Sequence, residues 1–136
     1  MKQIKYTSGY KYQLEDTYTG KLFEKYTDCD FEWVKIYEDG TKIYIKKGYA
    51  WDGPSGPTID TSSFMRGSLI HDAIYQLMRL EKLHKKYKQT ADIELKKICI
   101  EDDMNSFRAN YVWWAVDKFG EPSSNPKSKK KIIIAP

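Results

Sequence analysis

Apolar and polar residues alternate over two short stretches in the first third of the chain, Phe31-Glu32-Trp33-Val34-Lys35-Ile36-Tyr37 and Lys42-Ile43-Tyr44-Ile45-Lys46. A period of two puts successive side chains on opposite faces of a sheet, and the frequent Tyr, Thr, Phe, Ile and Val over residues 1–50 fit the same reading. Glu38-Asp39-Gly40 separates the stretches, and an Asp-Gly step flanked by alternating apolar residues predicts a hairpin. A second hairpin is expected from Lys11 to Tyr18 and Lys21 to Tyr26, joined around Thr19-Gly20.

The pattern changes at Gly48. Residues 48–63, GYAWDGPSGPTIDTSS, hold three Gly and two Pro and cannot run far as regular structure. The Asp, Thr and Ser side chains of Asp60 to Ser63 are good helix N-caps. Beyond them the apolar period lengthens to that of a helix, predicted from about Ser63 to Lys82. A Lys-rich connection leads to a second helix from about Gln89 to Met104, and a third covers Phe107 to Phe119. The fold class is α+β: N-terminal antiparallel β-hairpins, then an antiparallel helix pair and a third C-terminal helix. Residues 1–120 read as one α+β domain and 121–136 as a loose basic tail, in which Ile132-Ile133-Ile134 suit an edge strand.

Composition narrows the classes of function. A chain of 136 residues, 40% apolar, suits one core and is not the composition of a disordered protein. No apolar run approaches the ~18–20 residues that cross a bilayer. MKQIKYTSGYKY is not the continuous apolar stretch of a signal peptide, so secretion by that route is not expected. Cys29 and Cys99, far apart, make neither a disulfide framework nor a zinc site. The net charge of +4 comes largely from Lys127, Lys129, Lys130 and Lys131, which argues against nucleic-acid binding by the body of the domain. Against twenty Lys there are only three Arg, and two of them, Arg66 and Arg79, fall in the first predicted helix.

That helix carries the candidate chemistry. At about 100° per residue, Leu69, Ile70, Ala73, Ile74, Leu77 and Leu80 form a core-facing stripe. Ser68, His71, Asp72, Tyr75 and Arg79 gather on the other side, where a solvent-facing surface would more often carry Lys and Glu. On the second helix Asp92 lies at the edge of the stripe Ala91, Leu95, Ile98 and Cys99, and a carboxylate leaning into a core needs a partner. His71 is that partner if the helices pack antiparallel, and a His held by a buried Asp is a general base of fixed tautomer. The loop Trp51-Asp52-Gly53-Pro54-Ser55-Gly56-Pro57 can turn backbone carbonyls inward. Carbonyls with one or two carboxylates, here Asp72 and Asp52, suit a hard cation such as calcium.

The stretch Trp51-Asp52-Gly53-Pro54-Ser55 … His71-Asp72-Ala73-Ile74-Tyr75 … Ala91-Asp92 resembles a family of small phage and prophage proteins with a W-D-G-x-S-x-P, H-D-x-x-Y, A-D signature. That resemblance implies a phage origin, with a place in the host cytoplasm or the virion. The same residues resemble, more loosely, phospholipase A2, above all the viral-capsid type. This second resemblance implies that His71 activates water, Asp92 orients it, and Tyr75 braces Asp92. Asp72 would hold calcium with carbonyls around Gly53, Ser55 and Gly56, and the substrate would be a lipid or another ester.

A bland reading stands beside this one: the polar cluster pins loop to helix in a non-catalytic structural or host-modulating protein. Its pocket, lined by Trp51, Ser68, Arg66, Arg79 and Tyr75, would then take an anionic small molecule or a host or virion partner. Trp113 and Trp114, with Tyr111 and Val112, are expected in the core or on an oligomer face, and His84 in solvent.

Overall fold

In the computed structural model the described residues are Ile4, Tyr6–Thr7, 12–52 and 62–119. In chain order they form strands β1 (Tyr6–Thr7), β2 (Tyr12–Leu14), β3 (Tyr18–Lys21), β4 (Cys29–Asp30), β5 (Val34–Tyr37), β6 (Lys42–Ile45) and β7 (Ala50–Trp51). Helices α1 (Ser62–Arg79), α2 (Lys88–Glu101) and α3 (Ser106–Phe119) follow, with a single 3-10 turn at Lys85–Tyr87 ahead of α2. The strands make two antiparallel sheets, ordered β1-β2-β7 and β3-β6-β5-β4. This is the α+β arrangement of hairpin strands, helix pair and third helix that the sequence pattern predicts.

The first hairpin is where the Asp-Gly step places it. Val34 pairs with Ile45 and Tyr37 with Lys42. The reversal uses three consecutive left-handed residues, Glu38, Asp39 and Gly40, at φ 53°, 57° and 75°. Gly40 is required twice over. Its N–H donates to Asp28 Oδ1 at 2.7 Å and its carbonyl accepts from Tyr26 N at 2.9 Å, so the 26–28 segment lies directly on it. A Cβ there would sit 1.8 Å from the Tyr26 carbonyl oxygen.

The second expected hairpin is not formed. Thr19-Gly20 lies inside β3, with Thr19 opposite Tyr44 and Gly20 opposite Ile43. The chain bends earlier, over Glu15–Thr17, where Thr17 Oγ1 accepts from Lys47 N at 3.0 Å. Tyr18 explains the difference: it is 1% exposed and hydrogen-bonded to Arg66, and burying it draws residues 18–21 onto the β6 edge. Gly20 takes no left-handed φ and serves as an ordinary strand residue.

Val34, Ile36, Ile43 and Ile45 of the larger sheet share a buried cluster with Leu69, Ile70, Ala73, Ile74, Leu77 and Met78 of α1. A smaller cluster of Phe64, Leu95, Cys99, Met104, Ala109 and Val112 joins the three helices. From Phe64 to Met78, every residue of α1 except Asp72 is buried. Its polar side is therefore a second interior face, which is why Lys and Glu are absent from it. Helix α2 runs antiparallel to α1 and packs tightly against it at Gly67. A Cβ at that position would lie 2.9 Å from Leu95 Cδ1 and 3.0 Å from Cys99 Sγ.

A turn with Asp103 at φ 73° leads to α3, whose first turn is capped by Asn105 Oδ1 accepting from Arg108 N at 2.8 Å. The expectation of a core face here holds for Val112 alone. Trp113 is half-buried with Lys96 Nζ over its ring at 5.5 Å, while Phe107, Tyr111 and Trp114 are exposed. Among the described residues no helix is long and apolar enough to cross a membrane. The tail at 121–136, including Ile132-Ile133-Ile134, lies outside the described residues, as do Asp60 and Thr61.

Gly40→Ala should destabilise the protein by about 3 kcal/mol or prevent folding, because it combines a left-handed φ with a backbone clash that no rotamer relieves. Urea denaturation followed by far-UV circular dichroism reads this directly.

Candidate functional site

The site is built on one turn of α1 facing the first turns of α2. A helix places residues four apart on one face, so His71 and Tyr75 present together, and their rings meet at a centroid distance of 4.1 Å. Opposite them stands Asp92, fully shielded from solvent. Its Oδ1 lies 2.7 Å from His71 Nε2 and accepts the Tyr75 hydroxyl at 2.5 Å. Its Oδ2 accepts from Lys88 Nζ at 2.9 Å, a pair one helical turn apart on α2. All three partners supply protons to a single carboxylate.

Burial would raise the Asp92 pKa, but the hydrogen bond and charge of His71, with the Tyr75 and Lys88 bonds, outweigh it and hold the group below its ordinary 3.8. An ionised Asp92 only accepts, so the proton between it and His71 sits on Nε2. His71 Nδ1 is then the basic nitrogen. Burial works against a charged imidazole, yet Asp72 and Asp92 together offset this and raise its pKa above the ordinary 6.5. Burial, with the carboxylate of Asp92, pushes the Tyr75 phenol upward, so it remains a donor.

Nδ1 faces Asp72, whose Oδ1 is 3.9 Å away, an electrostatic contact longer than a hydrogen bond. Asp72 is the one member of the cluster with substantial exposure, 35% of its side chain. Burial and the charge of Asp52 raise its pKa, while His71 and Arg79 lower it. Two carboxylates, Asp72 and Asp52, thus act on each other beside the basic nitrogen. The other expected ion ligands, Gly53, Ser55 and Gly56, lie outside the described residues. Among the described residues no group of three or more His, Cys, Asp or Glu is arranged to hold a metal ion.

Three residues expected to line a substrate pocket have other work. Trp51 is 3% exposed, and its Nε1 donates to Ser68 Oγ at 3.1 Å, which in turn donates to the Met65 carbonyl at 2.9 Å. This chain ties β7 to α1. Arg66 is 5% exposed and makes four hydrogen bonds: Nε and Nη2 to Asp102 at 2.9 and 3.0 Å, Nη1 to Tyr18 at 3.0 Å, and Nη2 to Glu101. It joins β3 to the α2–α3 turn and does not belong with His71. Arg79, half-buried, keeps its place beside Asp72 and Tyr49. His84 is exposed as expected, and its Nδ1 caps the 3-10 turn by accepting from Lys86 N at 2.9 Å.

Sequence reasoning missed Lys88, Tyr49 and Gln76. Lys88 had a legible signal, its i, i+4 spacing to Asp92. Tyr49 had none: its hydroxyl reaches Gln76 Oε1 at 2.6 Å across 27 residues. Gln76 Nε2 is the single buried side-chain nitrogen or oxygen without a hydrogen-bond partner among the described residues. Compared with protein-family profiles, curated proteins and solved structures, the chain matches none.

Because the folded pKa of Asp92 is depressed, its contribution to stability is present above the unfolded value near 3.8 and is lost as pH falls through the folded value. Asp92→Asn should cost about 3–5 kcal/mol at pH 7, since it leaves Lys88 buried opposite a neutral group. It should also flatten the acid limb of stability against pH below about 4. Chemical denaturation of both proteins across pH 2–7 checks both effects.

Proposed function

We propose that the protein is a calcium-dependent ester hydrolase of the phospholipase A2 type, acting on a lipid or a related ester. The observation that supports this reading best is the division of labour on His71: Nε2 is spent on Asp92, and Nδ1 is left basic beside a half-exposed carboxylate. That is the arrangement of a general base next to a cation site.

In the proposed reaction a water oxygen forms a bond to the ester carbonyl carbon as His71 Nδ1 removes its proton. The imidazolium so formed is stabilised by the Asp92 carboxylate through Nε2–H, and Tyr75 and Lys88 keep that carboxylate in place. When the bond from carbon to the alkoxy oxygen breaks, His71 returns the proton to the leaving oxygen. Asp72 and Asp52 are the residues present that fit a hard cation. Calcium held there would supply positive charge beside the ester oxygen on which negative charge develops. Gln76, one turn beyond Asp72 with a free amide N–H among the described residues, offers a further donor on that side of α1. On this reading, the resemblance to the phage and prophage signature would place the activity in an infected host cell or a virion.

The non-catalytic reading, a pocket for an anionic small molecule or protein partner, has less to work with. Arg66 is engaged elsewhere and Lys88 is spent on Asp92, so of the arginines expected to line the pocket Arg79 is the one beside Asp72.

Purified protein incubated with mixed phosphatidylcholine and phosphatidylglycerol vesicles should release fatty acid with millimolar calcium and not with chelator. His71→Asn should reduce the rate by about 10²–10⁴, the range for a lost general base. Calcium should raise the melting temperature of the wild type and not of Asp72→Asn. Absence of both hydrolysis and a calcium shift would leave the non-catalytic pocket in its place.

A further inference from the structure

Lys88 is not an ordinary surface lysine. Its side chain is 14% exposed, and its ammonium donates to Asp92 Oδ2 at 2.9 Å, to the Asp117 carbonyl at 2.8 Å and to the Val116 carbonyl at 3.5 Å. The Asp117 carboxylate adds an ion-pair contact at 3.7 Å. An ammonium has three N–H donors, and all three have acceptors here. Two of those acceptors are backbone carbonyls in the last described turn of α3, toward the end where the helix dipole is negative. The C-terminus of α3 is thus a cation socket, and Lys88 fills it from α2.

The partition of the Asp92 oxygens gives this socket a chemical consequence. Oδ1 receives both His71 Nε2 and Tyr75, and Oδ2 receives only Lys88 among the described residues. Without Lys88, Oδ2 would be an unpaired anionic oxygen in a site with no solvent access. The carboxylate would then turn to share its bonds or take up a proton, and either change releases Nε2–H.

We infer that Lys88 is a positioning residue for the His71–Asp92 pair, anchored by the C-terminal carbonyls of α3, so that the third helix sets the orientation of the base through Lys88 and Asp92. The role in turnover rests on the hydrolase reading above; the role in holding the pair does not. The chain of contacts runs from the α3 end to ammonium, ammonium to carboxylate and carboxylate to imidazole. Every step is a charge-assisted hydrogen bond that fixes direction as well as distance. Lys88 touches no reacting atom. Its effect belongs in kcat, because misaligning a base slows the step after binding and leaves binding itself alone.

Lys88→Met keeps the aliphatic stem and removes the charge, and Lys88→Arg keeps the charge. Both should be examined well below their melting transitions. In 15N-labelled wild type, the Nε2–H proton shared with Asp92 should resonate far downfield. The Met variant should lose that resonance, and with vesicles its kcat should fall about tenfold or more at a KM within about twofold, the scale seen for groups that orient a site residue. The Arg variant should regain the resonance. A Met variant that melts lower but keeps the resonance and kcat would overturn the proposal, since support of the fold alone would account for it. Should the Met variant not fold, a folded Arg variant without the resonance overturns the proposal, and one with it supports it. If the wild type hydrolyses nothing, the hydrolase reading falls, and the resonance alone decides the role of Lys88.

Discussion

A carboxylate with no access to water must be compensated by the protein, and Asp92 is that carboxylate. Its charge can be kept only by assembling donors from elsewhere, and here they come from two helices with a third held behind them. His71 and Tyr75 come from α1, Lys88 from its own helix, and α3 carbonyls hold Lys88. The close α1–α2 approach at Gly67 lies one turn from His71. The packing that permits the contact and the charge that demands it therefore occupy neighbouring turns of the same helix.

The same solution recurs at the other buried charges. Glu94, also shielded, accepts from Phe23 N, Glu24 N and Tyr26 OH at 2.7, 2.9 and 3.2 Å, so α2 holds the segment that lies over Gly40. Arg66 joins β3 to the α2–α3 turn. Hydrophobic burial brings sheet and helices together without direction. These three charged contacts spanning long sequence separations supply the direction. Arg66 and Glu94 spend their bonding on the fold. The Asp92 cluster differs because its geometry leaves His71 Nδ1 turned toward a half-exposed Asp72 and is not closed on itself.

Much of the architecture was legible from local rules. The period-two stretches and Asp-Gly step located β5, β6 and their turn, and the longer period located all three helices within a few residues. The failures were non-local. Thr19-Gly20 has turn-like composition, but Tyr18 gains more by burial against Arg66, and that pull straightens the segment into β3. Of the aromatic run of α3, read as core or oligomer face, Val112 enters the core with Phe64 and α2 residues, Trp113 lies under Lys96, and Tyr111 and Trp114 stay exposed in the monomer. For the site, the H-D-x-x-Y spacing and the edge position of Asp92 were enough to pair His71 with it. The contacts of Trp51, Ser68 and Arg66 were not legible, because residue type does not reveal a partner contributed by another element.

By itself the sequence determined what obeys a short period: which stretches are strands and helices, which helix faces are apolar, and that His71, Asp72 and Tyr75 share a turn. It also determined that Asp92 needed a counter-charge. Only the tertiary structure decided which groups answer that need, because partners such as Lys88 with Asp117 or Tyr49 with Gln76 are 29 and 27 residues apart and meet only once the core has packed. Local periodicity is carried by the chain. The compensation of a buried charge depends on distance in space, and packing sets that.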